Sequence, residues 1–194
     1  MLVLVNKFKI HGDSYDCRCW VKSLSDKRFT VLQAMGTITH STDMEGFMRL
    51  AGLTSSELLQ TLKDLAQDGF VMKTKHGYAI ADRGKLALTA LTRLPDDKAF
   101  RFYVGVGQPT GVSARSNKEF YNVVENIAAG SLEFHLERGD FEKWIRTSMQ
   151  DEFFAAELAG LRKAALKGEA LRKQILMGLQ ARFGEEVLLL EWCV

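Results

Sequence analysis

The chain begins with apolar and polar positions in alternation and then changes period. Phe8 and Ile10 alternate with Lys7 and Lys9 after an apolar start, and Tyr15, Cys17, Cys19 and Val21 share one face of a second alternating run. A period of two marks a half-buried strand, so the His11-Gly12-Asp13 turn cluster between the runs predicts a β-hairpin over residues 1–25. From Ser25 or Asp26 the spacing becomes helical: Phe29, Leu32 and Met35 fall on one face, with Gly36 as the stop. Thr42-Asp-Met-Glu45 is a capping box that starts a second helix, covered by Phe47, Met48 and Leu50 and ending at Gly52. Thr54-Ser-Ser-Glu57 is another, with Leu53 and Leu58 at the positions of a hydrophobic staple. The third helix then spans 54–68, with Leu58, Leu59, Leu62, Leu65 and Ala66 inward and Ser55, Ser56, Gln60, Lys63, Asp64 and Gln67 toward solvent.

Two β-prone segments over 70–81 surround Lys75-His76-Gly77, which is hairpin-turn chemistry, and Asp82-Arg83-Gly84 opens a fourth helix through Ala87, Leu88 and Leu91. Leu94-Pro95-Asp96-Asp97 closes this part, because proline cannot continue a helix and two aspartates suit a solvated turn. The chain is thereby divided into a hairpin extension (1–25), a central domain (26–94) and a C-terminal helical domain (95–194). In the last of these, Ser116-x-x-Glu119 caps a helix from Asn117 that Gly130 ends, and Gly139-Asp140 separates two short helices, the second with Phe141, Trp144 and Ile145 on its apolar face. Helices over 151–166 and 169–183 follow, with Phe154, Leu158, Leu161 and Ala165 and then Leu171, Ile175, Leu179 and Phe183 spaced for an antiparallel pair. Val187 to Val194 is β-prone. The predicted class is α+β, mostly α.

The order of three helices, a two-stranded ribbon and a helix resembles a winged helix-turn-helix module over about residues 26–93. The resemblance is carried by Leu62-x-x-Leu65-x-x-x-Gly69-Phe70-Val71 at the passage from third helix to ribbon and by Tyr78-Ala-Ile-Ala-Asp-Arg-Gly-Lys-Leu86 at the exit. It implies a double-stranded DNA partner, a recognition helix at 54–68 in the major groove and a wing at 70–81 on the phosphates. The base-reading positions would be Ser55, Ser56, Gln60 and Lys63, with Lys73, Lys75 and His76 as phosphate contacts. Farther along, Phe100 to Ser116 and Phe134-His-Leu-Glu-Arg-Gly-Asp-Phe-x-x-Trp-Ile145 resemble an uncharacterised, mainly archaeal small helical domain, which implies no particular activity.

With 194 residues, 46% hydrophobic and only two prolines, the chain has the composition of an ordinary globular protein of two modest domains. Its 26 basic and 24 acidic residues leave a net charge of +2, so any attraction for DNA must be local. No apolar run approaches the roughly 20 residues that span a bilayer, and no signal-peptide pattern opens the chain, so a cytoplasmic protein without a membrane partner is expected. Cys17, Cys19 and Cys193 are an odd count without a C-x-x-C pair and are read as reduced thiols.

Catalytic candidates are sparse. Gly105-x-Gly107-x-x-x-Gly111 superficially follows a dinucleotide-binding turn, but Pro109 interrupts it and the next helix starts only near Ser116, so a flexible connector is expected. His135 and Glu137 diverge on a helix, so His135 is expected to bond locally beside Trp144, with Glu137, Arg138 and Asp140 in a salt-bridge network. No nucleophile–base set or carboxylate pair is assembled, which predicts no enzyme, no cofactor and no metal. His135, Arg138 and Trp144 are the candidate interaction residues of the C-terminal domain, and Arg162, Lys163, Lys167, Arg172 and Lys173 cluster about one interhelix turn.

The leading expectation is a homodimeric DNA-binding transcriptional regulator, dimeric because one wing with few positive charges binds weakly. The alternative is an adaptor that binds protein through the same module and the C-terminal helices. A third is a sensor of small molecules with a pocket between its Phe- and Trp-lined helices.

Overall fold

Helical spacing of apolar residues in the central part is realised as α1 (Asp26–Thr37), α2 (Met44–Ala51), α3 (Ser55–Gln67) and α4 (Asp82–Leu91), with β1 (Val71–Thr74) and β2 (Gly77–Ile80) between the last two. The computed structural model describes residues 26–37 and 44–190. The predicted hairpin over 1–25, the Thr42 box and all three cysteines lie outside the described residues. Thr54 caps α3 as its sequence requires: its hydroxyl oxygen accepts from the Glu57 N–H, and the Glu57 carboxylate accepts from the Thr54 N–H at 3.0 Å and hydroxyl at 2.8 Å. These bonds, backbone first, and the Lys27 ammonium at 3.3 Å bring the Glu57 pKa down to about 2.

Leu58, Leu62 and Leu65 face the interior with Phe29, Leu32, Phe70, Ala87 and Leu91. Leu59, expected inward, is instead 45% exposed. At 100° per residue it shares a face with Ser56, Gln60 and Lys63 and turns away from the Leu58, Leu62, Leu65 stripe.

β1 and β2 pair antiparallel from Val71↔Ile80 to Thr74↔Gly77, so Lys75 and His76 form a two-residue tip. The root of this hairpin is clamped. The Ala81 N–H donates to the Phe70 carbonyl at 3.0 Å, and a Cβ on Gly84 would collide with that same carbonyl oxygen. Arg83 reaches the Asp68 carbonyl at 3.1 Å and lies 4.8 Å from the Phe70 ring centroid.

After a single 3₁₀ turn at Asp96–Lys98 come β3 (Phe100–Gly105) and β4 (Gln108–Ala114), then α5 (Asn117–Asn126), α6 (Ala129–Arg138), α7 (Asp140–Thr147), α8 (Glu152–Lys163), α9 (Gly168–Phe183) and α10 (Glu185–Leu188). The glycine-rich stretch expected as a connector is thus a second antiparallel hairpin. Its turn is Val106-Gly107, with Gly107 in the left-handed region at φ 72°, and the register shifts on either side of Tyr103, with the extra residues in β4 on one side and in β3 on the other.

Other boundaries also differ from the reading of the sequence. α5 stops at Asn126, and Gly130 lies inside α6. The stop comes from tertiary contact: the Arg172 guanidinium donates to the Val124 carbonyl and, at 2.7 Å, to the Ile127 carbonyl, which would otherwise be orphans at a helix end. α8 ends at Lys163, leaving Ala165 exposed outside it. Val187 and Leu188 are helical, not extended; both are buried and seal α10 against α4 and α9. Residues 191–194 of that predicted strand lie outside the described residues.

The architecture is α+β and mostly α, with two small hairpins. Its interior is aromatic in the C-terminal half, where Phe100 meets Phe102 at 4.8 Å and Phe120 meets Phe141 at 5.2 Å between ring centroids. Across the Leu94-Pro95 junction, α4 packs against α5, α9 and α10, the Leu94 N–H donates to the Arg115 carbonyl at 2.7 Å, and Arg93 pairs with Glu119 at 2.7 Å. Buried residues on the two sides form one continuous apolar cluster. No helix of the described residues is long and apolar enough to cross a membrane.

Candidate nucleic-acid interface

The structure places Ser55, Ser56, Gln60 and Lys63 on the exposed side of α3, and Lys73, Lys75 and His76 on the exposed end of the β1–β2 hairpin. The tip is shaped by Thr74, whose hydroxyl accepts from the His76 N–H and donates to the Gly77 carbonyl, both at 3.3 Å.

Charge pairing separates these lysines from the other cations of the module. Lys27 pairs with Glu57, Arg28 with Asp68, Arg83 with Glu186, Lys85 with Asp82 and Arg93 with Glu119. Lys63, Lys73 and Lys75 have no carboxylate partner among the described residues. The same holds for Arg49, exposed in the last turn of α2, which the sequence reading left out although a basic residue just before the turn into α3 was visible there.

The acidic residues nearby are partly occupied. Asp68 is held by Arg28 at 2.5 Å in a largely buried pair, and Asp64 accepts from the Gln60 amide at 2.9 Å. That last bond presets the Gln60 side chain along the helix axis.

The candidates in the C-terminal half are arranged differently. His135 and Trp144 are only 3% and 7% exposed. His135 Nε2 accepts from the Tyr103 backbone N–H at 2.8 Å, so its proton sits on Nδ1 and is donated to Asp140 at 2.8 Å. Burial pushes the imidazole pKa below its ordinary 6.5, against the raising effect of Asp140. With both nitrogens engaged, this histidine fastens β3 to α6 and α7. The indole N–H of Trp144 donates to the Lys98 carbonyl at 2.8 Å, likewise an internal bond. Arg138 stays exposed, with Nε on Asp140 at 3.1 Å and its guanidinium 5.3 Å from the Phe134 ring centroid.

Glu137 does not join the His135–Arg138–Asp140 group; it reaches Lys167 at 3.6 Å. Of the basic cluster between α8 and α9, Arg162 is paired with Glu142 and Arg172 with Glu169, which leaves exposed Lys163 and Lys173 without a carboxylate among the described residues. The space between the Phe- and Trp-bearing helices is filled by the rings themselves. No group of three or more His, Cys, Asp or Glu side chains is placed to hold a metal among the described residues.

Comparison of the chain with protein-family models, with curated proteins and with solved structures returned no match.

Proposed function

We propose that residues 26–94 are a winged helix-turn-helix that binds double-stranded DNA, and that the chain is a cytoplasmic, dimeric, non-enzymatic transcriptional regulator. The observation that carries this reading is the charge pairing: Lys63, Lys73 and Lys75 are exposed on α3 and the adjoining hairpin without carboxylate partners among the described residues, while the other lysines of the module and its Arg28, Arg83 and Arg93 are in ion pairs. A lysine without a partner can release a counterion from a phosphate at no cost in broken ion pairs. Ser55, Ser56 and Gln60 would then face base edges from the N-terminal turns of α3, and Arg49 would add a backbone contact from α2.

Fluorescence anisotropy against a mixed pool of genomic duplexes, from about 50 to 200 mM salt, tests it. Binding with a steep salt slope is expected, and Lys73→Glu with Lys75→Glu should lower both the affinity and the slope, the latter by about one unit per lost phosphate contact. Absence of binding at the lowest salt would overturn the proposal.

A second reading, an adaptor for protein, is favoured by Leu50, Leu59 and Met72, which are 61%, 45% and 52% exposed on α2, α3 and β1. Leu59 stands among the polar residues of α3 that the DNA reading assigns to the groove. Retention of one defined partner at high salt, lost in Leu59→Asp, would establish that reading instead.

A further inference from the structure

A cavity of about 280 Å³ opens between the tip of the β3–β4 hairpin and α6, outside the proposed nucleic-acid interface. Its lining combines Tyr103, Phe134 and Val106 with two arginines, Arg101 and Arg138, and one carboxylate, Asp140. One oxygen of this carboxylate is engaged within the protein, since Asp140 Oδ2 accepts from both His135 and Arg138. The neutral imidazole of His135, also in the lining, adds no charge, since its Nε2 is an acceptor for the Tyr103 N–H.

The guanidinium donors exceed what the protein uses. Arg101 is exposed and has no acidic partner among the described residues. Arg138 spends only Nε on Asp140, and its position against the Phe134 ring keeps the terminal fork oriented. An arginine presents five N–H donors in a planar array that matches a carboxylate in two-point contact. The rest of the lining is apolar or aromatic, with Val106 exposed at the hairpin tip. The volume of about 280 Å³ lies just below the roughly 300–1,000 Å³ of small-molecule sites, room for one ring and not for a nucleotide.

We propose that this cavity binds a small carboxylate with a single-ring apolar body, its carboxylate held by Arg101 and Arg138 and its ring against Tyr103, Phe134 and Val106. The site is independent of the DNA-binding reading. Phosphate shares the charge but has no body for the apolar walls, so the carboxylate class is distinguished by direct comparison.

Isothermal titration of the full chain with benzoate, phenylacetate, benzyl alcohol and inorganic phosphate tests it. One-site saturable binding of at least one carboxylate is expected, with benzyl alcohol silent and phosphate weaker by about tenfold or more. Arg101→Gln should weaken the carboxylate by about tenfold while leaving the melting temperature of the unliganded protein unchanged, since the exposed Arg101 side chain makes no ion pair among the described residues. Arg138→Lys, which keeps the charge and removes the fork, should weaken it as well. The proposal is overturned if neither carboxylate saturates by about 10 mM, if benzyl alcohol or phosphate binds as tightly, or if Arg101→Gln leaves the affinity unchanged.

Discussion

The two hairpins of this chain share a geometry and differ in almost everything else. Each is a pair of short antiparallel strands closed by a two-residue turn, Lys75-His76 in β1–β2 and Val106-Gly107 in β3–β4. The first keeps perfect register and is held from its root as far as Tyr78, by Phe70, Arg83, the close approach of Gly84 and the packing of Tyr78 and Ile80 on the core, so its far end is solvated and basic. The second is irregular and is held through β3 from Phe100 to Tyr103. Phe100 and Phe102 enter the aromatic core, the Ser131 hydroxyl donates to the Tyr103 carbonyl at 2.8 Å, and His135 receives the Tyr103 N–H. Side chains of α6 thus complete the hydrogen bonding of β3 where a third strand would otherwise be needed. A hairpin anchored at one end can present charge to an external surface, whereas one anchored along one strand can wall a cavity.

The sharpest way to break this contrast is to truncate a ring. Phe102→Ala should cost about 3–5 kcal/mol of stability by urea denaturation, while Met72→Ala on the other hairpin should stay within about 0.5 kcal/mol. Comparable losses would show that both hairpins stand on packing.

Next in size is His135→Leu, which leaves the Tyr103 N–H without its acceptor and should cost about 1–3 kcal/mol. Its pH dependence has a definite sign. Burial holds the folded pKa of His135 below 6.5, so the unfolded chain takes up the proton first, and the stability supplied by the neutral ring is present above pH 6.5 and lost as pH falls through 6.5 toward the folded value. Melting temperatures between pH 7.5 and 5.5 should therefore fall in the native protein and fall less in His135→Leu.

Gly84→Ala addresses the other anchor: a methyl against the Phe70 carbonyl should cost about 1–3 kcal/mol and release the β1–β2 root, seen as faster amide exchange at Ala81. The smallest effect is expected from Lys73→Gln with Lys75→Gln. Their stability change should lie within about 0.5 kcal/mol, because neither lysine has a partner to lose among the described residues.

What could be read in the sequence was local. The Thr54–Glu57 box, the Leu58, Leu62, Leu65 stripe and the Lys75-His76-Gly77 turn each depend on residues within one helical turn or one hairpin, and all three recur in the structure. The end of α5 depends on Arg172, and the role of His135 on a backbone N–H at Tyr103, each a partner from a distant element that no window of sequence contains. The β3–β4 hairpin was hidden for another reason. Its strands mix Pro109 with glycines that ordinarily argue against a strand, and they are tolerated because both strands of this two-stranded sheet are edges and the register is broken on either side of the Tyr103↔Pro109 pair. Of the candidate site, side-chain identity and exposure were legible, but not which lysines would be left without carboxylates, since Asp68, Glu119 and Glu186 are claimed by arginines far away in the chain.

Arg83 gives the molecule a mechanical property. One guanidinium touches the last turn of α3 through the Asp68 carbonyl, the root of β1 through the Phe70 ring and α10 through Glu186 at 3.0 Å. Displacement of the β1–β2 root would therefore be felt at α10 by two routes, this guanidinium and the buried Val187 and Leu188 that pack α10 against α4.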